Sequence, residues 1–211
     1  MVLKGQFLER PTLIPVGKRV LEGLSHRGEK RPPLLILPPL PDEGGAMDHV
    51  IAAELAWAAS QAGLPTLRFN FRGVGASQGE RGGDAERLAD ARAALTVLRE
   101  NTGADEVAVA SIAGAGQMLL ELQAAERAVR AAVFISAGAL KPKAWSKLRV
   151  PALAVAAEQD PDASRRGWSA AIVEAGGEVA WIDQADPAFT RNLPEVGRAV
   201  LRWLGQTPRF H

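Results

Sequence analysis

The apolar and polar positions of the chain follow two spacings, one typical of strands and one typical of helices. Residues 12–16 and 19–23 have strand-like apolar spacing on either side of Gly17, which predicts an antiparallel hairpin. Further short apolar runs predict buried strands at residues 33–37, 65–69, 106–110, 129–136, 150–156 and 178–183. Because helical stretches separate these runs, we expect an α/β fold with a mainly parallel, twisted sheet and helices on both faces.

Three stretches between the apolar runs repeat apolar residues at the spacing of one helix face. These residues are Ile51, Leu55 and Ala58 in the first stretch, Leu88, Ala91, Leu95 and Leu98 in the second, and Val196, Val200, Trp203 and Leu204 in the last. We find no linker-like segment and no internal repeat. The 211 residues therefore predict a single domain, residues 1–211, with a short tail at about 207–211.

Charge and composition exclude several classes of function. The 25 basic and 24 acidic residues nearly cancel and are scattered, so we expect no nucleic-acid partner and no binding to a membrane surface. The longest uncharged run, residues 107–120, is shorter than the roughly 20 residues that span a bilayer. The chain has no cysteine, and its first residues lack a secretory pattern, so we expect a cytoplasmic protein without disulfides.

Residues 106–120 combine a buried strand, a tight turn of small residues and the start of a helix. This pattern is typical of the turn that displays a catalytic nucleophile, which requires small residues two positions before and after its apex. Ala113 occupies the apex, and Ser111 and Ala115 are its small neighbours. Since a methyl group cannot attack a carbonyl carbon, the pattern indicates a hydrolase scaffold without its nucleophile.

Two further segments carry a family resemblance. Residues 43–49 read Glu-Gly-Gly-Ala-Met-Asp-His, and residues 66–79 contain Arg-Phe-Asn-Phe-Arg-Gly-Val-Gly-Ala-Ser. They resemble the Gly-Gly-x-Met-Asp and Arg-Phe-Asn-x-Arg-Gly-Val-Gly-x-Ser signatures of small bacterial α/β hydrolases, the group near dienelactone hydrolases and prolyl-peptidase-like esterases. The resemblance covers about residues 19–204 and implies the α/β-hydrolase fold with little or no lid. Gly73-Val-Gly75 alone could suggest a phosphate cradle, but it lacks the third glycine and helix of a dinucleotide site.

The resemblance also implies where a Ser, Asp and His triad would stand. The three positions hold Ala113, Asp160 and Pro187, so the triad is degenerate and we expect no catalytic residues. The alternative for Asp160 is a capping residue for a helix near residues 163–175. Because the nucleophile and the base are both replaced, we interpret the loss as natural rather than as an engineered substitution.

An alternative reading makes the protein an esterase with Ser111 as nucleophile and His49 as base. His49 follows the Gly-Gly-x-Met-Asp segment, near the expected site. The remaining histidines, His26 in a polar loop and His211 in the tail, are predicted to be solvated surface groups.

Two backbone amides are candidates for binding a carbonyl oxygen, as in an oxyanion hole. The first is the amide of Gly114, directly after the apex. The second is the amide of Leu40, because the other residues of the loop at 38–41 are prolines without an N–H group. The nearby acids do not indicate a metal site, and no cofactor is predicted; the acids are Asp42, Glu43, Asp160, Asp162 and Asp186.

The sequence therefore favours a non-catalytic homologue of the α/β hydrolases. Such a pseudo-hydrolase would act by binding a small acyl or carbonyl ligand, or a protein partner. A third hypothesis makes the chain a subunit of an assembly; it is motivated by the five tryptophans, Trp57, Trp145, Trp168, Trp181 and Trp203. The identity of the ligand and the oligomeric state are left open by the sequence.

Overall fold

A single mixed sheet runs through the described part of the chain. The computed structural model describes residues 7–160 and 167–207, in which eight strands pair in the order β1-β2-β4-β3-β5-β6-β7-β8. The strands are β1 (Arg10–Val16), β2 (Arg19–His26), β3 (Leu34–Leu37), β4 (Thr66–Phe69), β5 (Val107–Ile112), β6 (Val129–Ile135), β7 (Ala152–Ala157) and β8 (Glu178–Ile182). The hairpin β1–β2 joins β4 in antiparallel pairing, and every neighbouring pair from β4 to β8 is parallel. The predicted hairpin and mainly parallel sheet are confirmed.

Helices cover both faces of this sheet, as the alternation of strands and helices predicts. They are α1 (Val50–Gln61), α2 (Asp84–Thr102), α3 (Gly116–Ala125), α4 (Trp168–Glu174) and α5 (Leu193–Gln206). The helices α2, α3 and α4 pack over one face, together with Val107 and Val109 of β5. The helices α1 and α5 pack over the other face, against Ala108 and Ala110 of the same strand. Successive residues of β5 therefore enter two separate cores, which is why this strand reads as a continuous apolar run.

Most residues of the predicted helix faces are buried. Ala58 and Leu88 are half-buried, and the rest are at most 7% exposed. In residues 7–160 and 167–207 no helix combines the length and the apolar character that crossing a membrane requires.

His26 is buried, and its prediction as a solvated surface group is wrong. It is the last residue of β2, pairs with Thr66 of β4 and is only 5% exposed. Its ring Nδ1 lies 3.0 Å from the Thr66 hydroxyl, and its Nε2 lies 4.0 Å from the Glu9 carboxylate. Burial lowers the pKa of His26, an effect that Glu9 partly offsets. His211, the other histidine predicted at the surface, lies outside the described residues.

Thr207 is packed against the last helix, although the tail is predicted to begin at about this residue. It follows α5, is 4% exposed, and its hydroxyl donates to the Trp203 carbonyl at 2.9 Å. Thr207 thus belongs to the packed end of the last helix, and residues 208–211 lie outside the described part of the chain.

Candidate functional site

The turn after β5 is sharp because its apex residue has a left-handed backbone. Ala113 has φ of 51°, starts the short 3₁₀ helix Ala113–Ala115, and leads directly into α3. An L-residue in this conformation costs of order 1 kcal/mol or more, and such strain is concentrated at functional sites. A strand, a left-handed apex and a helix follow one another here, as in a turn that lifts one side chain above the sheet edge.

Ser111 lies inside β5 rather than at the apex. Its side chain lies on the same face of β5 as those of Val107 and Val109, which is the face covered by α2 and α3. It is 1% exposed, and its hydroxyl donates to the Val133 carbonyl at 3.3 Å. Ser111 therefore has the environment of a small packing residue, like the fully buried Ala115.

His49 lies on the other side of the sheet. It is the N-cap residue of α1, and its Nδ1 accepts a hydrogen bond of 3.4 Å from the Ile51 amide. Burial lowers the pKa of His49, and the neighbouring Asp48 raises it. Because α1 covers the face opposite to the Ser111 side chain, the structure does not bring Ser111 and His49 together.

Ala113, Asp160 and Pro187 follow β5, β7 and β8, all at the carboxyl edge of the parallel strands. Hydrogen bonds tie the last two loops together, since the Gln159 amide donates to the Ala185 carbonyl at 3.0 Å. Asp160 is half-buried, and its own amide donates to the Ala157 carbonyl. The N-cap residue of α4 is Gly167, so Asp160 does not cap this helix, the next one that the structure describes. Pro187 is exposed at this same edge.

Ser136 is a further polar residue at this edge, and the sequence reading did not single it out. It follows β6, between the loops of Ala113 and Asp160, and has a left-handed φ of 55°. Its hydroxyl donates to the Pro187 carbonyl at 3.4 Å. A signal was present in the sequence, because a serine directly after a buried parallel strand lies at the edge where ligands bind.

The amides of Leu40 and Gly114 point at one and the same oxygen atom. Both donate to Oε2 of Glu43, each at 3.2 Å. Leu40 lies in the loop after β3, and Gly114 lies in the turn after the neighbouring β5. We call these two N–H groups the two-amide site. Two preorganised donors aimed at one oxygen form the arrangement that binds a carbonyl oxygen or an oxyanion.

Residues of the two family-like segments hold the loop beside this site. The Arg68 guanidinium donates to the Met47 carbonyl at 2.5 Å, and the Asn70 side chain accepts from the Met47 amide at 2.6 Å. Asn70 also donates to the Glu22 carboxylate. A Cβ atom on Gly75 would lie only 2.0 Å from Oε1 of this carboxylate. Gly75, with φ of 56°, must therefore be glycine, and the acidic group beside it disfavours a phosphate.

Asp42 and Asp186, two of the acids near the site, have hydrogen-bonding or ion-pair partners within the protein. Asp42 forms an ion pair of 2.5 Å with Arg87 of α2. Asp186 accepts from the Thr190 hydroxyl and from the amides of Thr190 and Ala188, and these hydrogen bonds hold its pKa below the usual range. Within residues 7–160 and 167–207 no three acidic or histidine side chains are grouped to hold a metal ion. Asp162 lies outside the described residues.

The five tryptophans divide into core and surface residues. Trp145, Trp168 and Trp203 are at most 7% exposed, whereas Trp57 and Trp181 are 51% and 46% exposed. Phe7 contacts Trp57 with the ring centroids 6.2 Å apart. Of the five tryptophans, only Trp57 and Trp181 therefore expose enough ring surface to serve an interface.

Comparison with known proteins gives a match at the level of structure. No protein-family model and no curated protein sequence matches the chain. An α/β serine hydrolase homologue from Coxiella burnetii superposes with a TM-score of 0.81 at 24% identity, covering 92% of this chain and 97% of the other. A lid-free α/β serine hydrolase from Xanthomonas campestris gives 0.75 at 24% identity over 95% and 97%. Dienelactone hydrolase from Anabaena variabilis gives 0.77 at 18% identity over 97% and 100%.

These superpositions cover nearly the whole length of both chains in each case. Their low sequence identity makes the comparison one of fold, and it agrees with the mainly parallel sheet and the helices on both of its faces. The chain therefore has the α/β-hydrolase fold.

Proposed function

We propose that this protein is a non-catalytic homologue of the α/β hydrolases that binds a small ligand through a carbonyl or carboxylate oxygen. One observation carries the proposal: the amides of Leu40 and Gly114 converge on a single oxygen beside a residue, Ala113, that has no nucleophile. Acyl transfer by a triad needs a hydroxyl, an imidazole and a carboxylate on neighbouring turns. In this chain the turn after β5 offers a methyl group, and the loop after β8 offers Pro187.

The esterase alternative has less support. It needs a hydroxyl within hydrogen-bonding reach of an imidazole, about 3 Å between the heavy atoms. Ser111 instead donates to a backbone carbonyl inside the sheet, and His49 accepts from a backbone amide at the start of α1. Both side chains already have structural roles.

A gain-of-function experiment tests the proposal. We would assay hydrolysis of short-chain aryl esters by the native protein, by Ala113→Ser and Pro187→His separately, and by the double variant. Activity only in the double variant would support the proposal that the scaffold and the two-amide site are intact and that the protein lacks only the nucleophile and the base. The two single variants control for ester hydrolysis by a surface serine or histidine.

Covalent labelling gives a second readout on the same proteins. A fluorophosphonate probe should leave the native protein unlabelled and should label the double variant at position 113. Hydrolysis by the native protein that Ser111→Ala abolishes, with stoichiometric labelling of Ser111, would overturn the proposal.

A further inference from the structure

The carboxylate of Glu43 occupies the two-amide site. Its Oε2 accepts 3.2 Å hydrogen bonds from the amides of Leu40 and Gly114, and the Gly114 residue is 71 positions away in the chain. A hydrogen bond between an N–H group and an ionised carboxylate is stronger than one between neutral groups. The site is thus already filled by an anion that belongs to the protein itself.

Helix capping explains only half of this arrangement. Glu43 is the third residue of the short 3₁₀ helix Pro41–Glu43, and its bond to the Leu40 amide is the local contact of a capping box. The bond to Gly114 is not local, and it needs the absence of a side chain at position 114. A Cβ on Gly114 would lie 2.4 Å from Oε1 and 3.0 Å from Oε2 of Glu43. Gly114 therefore lets the whole carboxylate lie against the backbone of the turn.

Among the described residues, Glu43 is held by hydrogen bonds from backbone amides alone. In the described part of the chain it forms no ion pair with a basic side chain, whereas the adjacent Asp42 pairs with Arg87. The Glu43 side chain is exposed, so it can rotate into water without opening the core. The loop would stay in place during this rotation, because the Asp42–Arg87 ion pair and the bond from the Gly45 amide to the Leu40 carbonyl do not involve the Glu43 side chain.

We propose that Glu43 is an internal ligand of the two-amide site, and that the external ligand is a small carboxylate that replaces it. This inference rests on the proposed function and narrows the ligand from a compound with a carbonyl or carboxylate oxygen to a carboxylate. The donors already hold an ionised carboxylate oxygen at hydrogen-bonding distance. The site lies just before α3, whose amino-terminal end favours negative charge. The apparent affinity for the ligand is then reduced in proportion to the fraction of protein molecules in which Glu43 leaves the site free.

Titration of the ¹⁵N-labelled protein with sodium benzoate tests this proposal. The Leu40 and Gly114 amide resonances report binding, and sodium chloride keeps the ionic strength constant. We expect Glu43→Ala to bind benzoate about tenfold more tightly than the native protein, since an internal competitor with charge-assisted hydrogen bonds is removed. The benzoate affinity of Glu43→Gln should lie between those of the native protein and Glu43→Ala, because a neutral amide oxygen is a weaker acceptor than a carboxylate oxygen.

Two controls separate competition from general charge effects. Glu100→Ala removes one exposed negative charge near the carboxyl end of α2, which precedes the start of β5, whereas the two-amide site lies beyond the end of β5; this variant should bind benzoate like the native protein. Benzamide has the shape of benzoate without its charge, and we expect it to bind Glu43→Ala about tenfold more weakly than benzoate does.

Three results would overturn the inference. Equal benzoate affinity in the native protein and Glu43→Ala would mean that Glu43 does not compete. Equal binding of benzamide and benzoate would mean that the site does not select a carboxylate. No response of Leu40 and Gly114 in any variant would mean that the site takes no carboxylate at all. Failure of the proposed function is separate, because it would appear as ester hydrolysis by the native protein whatever benzoate does.

Discussion

Arg72 and Asp90 form a buried ion pair that joins the loop after β4 to α2. The Arg72 guanidinium donates to Asp90 at 2.6 Å, and its backbone amide donates to the second carboxylate oxygen at 3.0 Å. Asp90 is fully buried and Arg72 is 8% exposed. This pair fixes one end of the family-like segment whose other residues, Arg68 and Asn70, hold the backbone at Met47.

Removing one member of this pair should destabilise the fold strongly. Asp90→Ala leaves a buried guanidinium without its partner, which costs about 3–5 kcal/mol in the free energy of unfolding. Urea unfolding followed by tryptophan fluorescence measures the loss. Asp105→Ala is the control, because Asp105 forms an exposed ion pair of 3.9 Å with Arg99 and should change stability by less than about 1 kcal/mol. Similar decreases in the free energy of unfolding of both variants would show that the buried pair stabilises the fold no more than the exposed pair does.

The left-handed backbone of Ala113 gives a prediction of opposite sign. Glycine adopts a positive φ without the strain of about 1–2 kcal/mol that alanine has there. Glycine also gives the unfolded chain more conformational entropy, which lowers the free energy of unfolding by about 0.4–1 kcal/mol. Ala113→Gly should therefore raise the free energy of unfolding slightly, by up to about 1 kcal/mol. Ala89→Gly, on the exposed face of α2, should lower it by about 1 kcal/mol. Losses of equal size at both positions would contradict the strained apex.

Much of the fold could be predicted from the sequence because the signals are local. The parallel strands are buried on both faces, so they appear as continuous apolar runs, and the small residues around Ala113 mark the turn. The amides of Leu40 and Gly114 could be chosen as well, since prolines remove the other donors of the first loop.

Features that depend on distant contacts could not be predicted in this way. His26 is buried because β2 pairs with β4, forty residues further along the chain. Glu43 reaches Gly114 only because β3 and β5 are neighbours in the sheet. From the sequence alone, His26 resembles a loop residue and Glu43 a scattered surface acid.

The buried His26 should make stability depend on pH. Its folded pKa is lowered from the ordinary value of 6.5, mainly by burial, so the folded protein binds this proton less well than the unfolded chain. The stabilisation is complete above the ordinary pKa and decreases as the pH falls through 6.5 towards the folded value. We expect the free energy of unfolding to decrease between about pH 7 and about pH 5, and less so in His26→Gln.

Two measurements separate His26 from the other shifted histidine. The pKa of His49 is also lowered by burial, so His49→Gln measures its share of the pH dependence. An NMR titration of the His26 ring should have its midpoint below 6.5. A midpoint above that value would mean that the charge of Glu9, 4.0 Å away, outweighs burial.

Gly114→Ala distinguishes the space at the two-amide site from its charge. The new Cβ would lie 2.4 Å from the Glu43 carboxylate, so the flexible side chain should leave the site at little cost. We expect stability to change by less than about 1 kcal/mol, because a lost exposed contact is offset by the smaller entropy of the unfolded chain. The Leu40 amide resonance should move, because this N–H group loses its acceptor.

The affinity of Gly114→Ala for benzoate should not increase as it does in Glu43→Ala, because the same methyl group crowds any carboxylate bound there. Gly205→Ala, where an added Cβ meets no atom within 4 Å, controls for the methyl group itself. Tighter benzoate binding by Gly114→Ala would show that the ligand lies elsewhere than against this glycine.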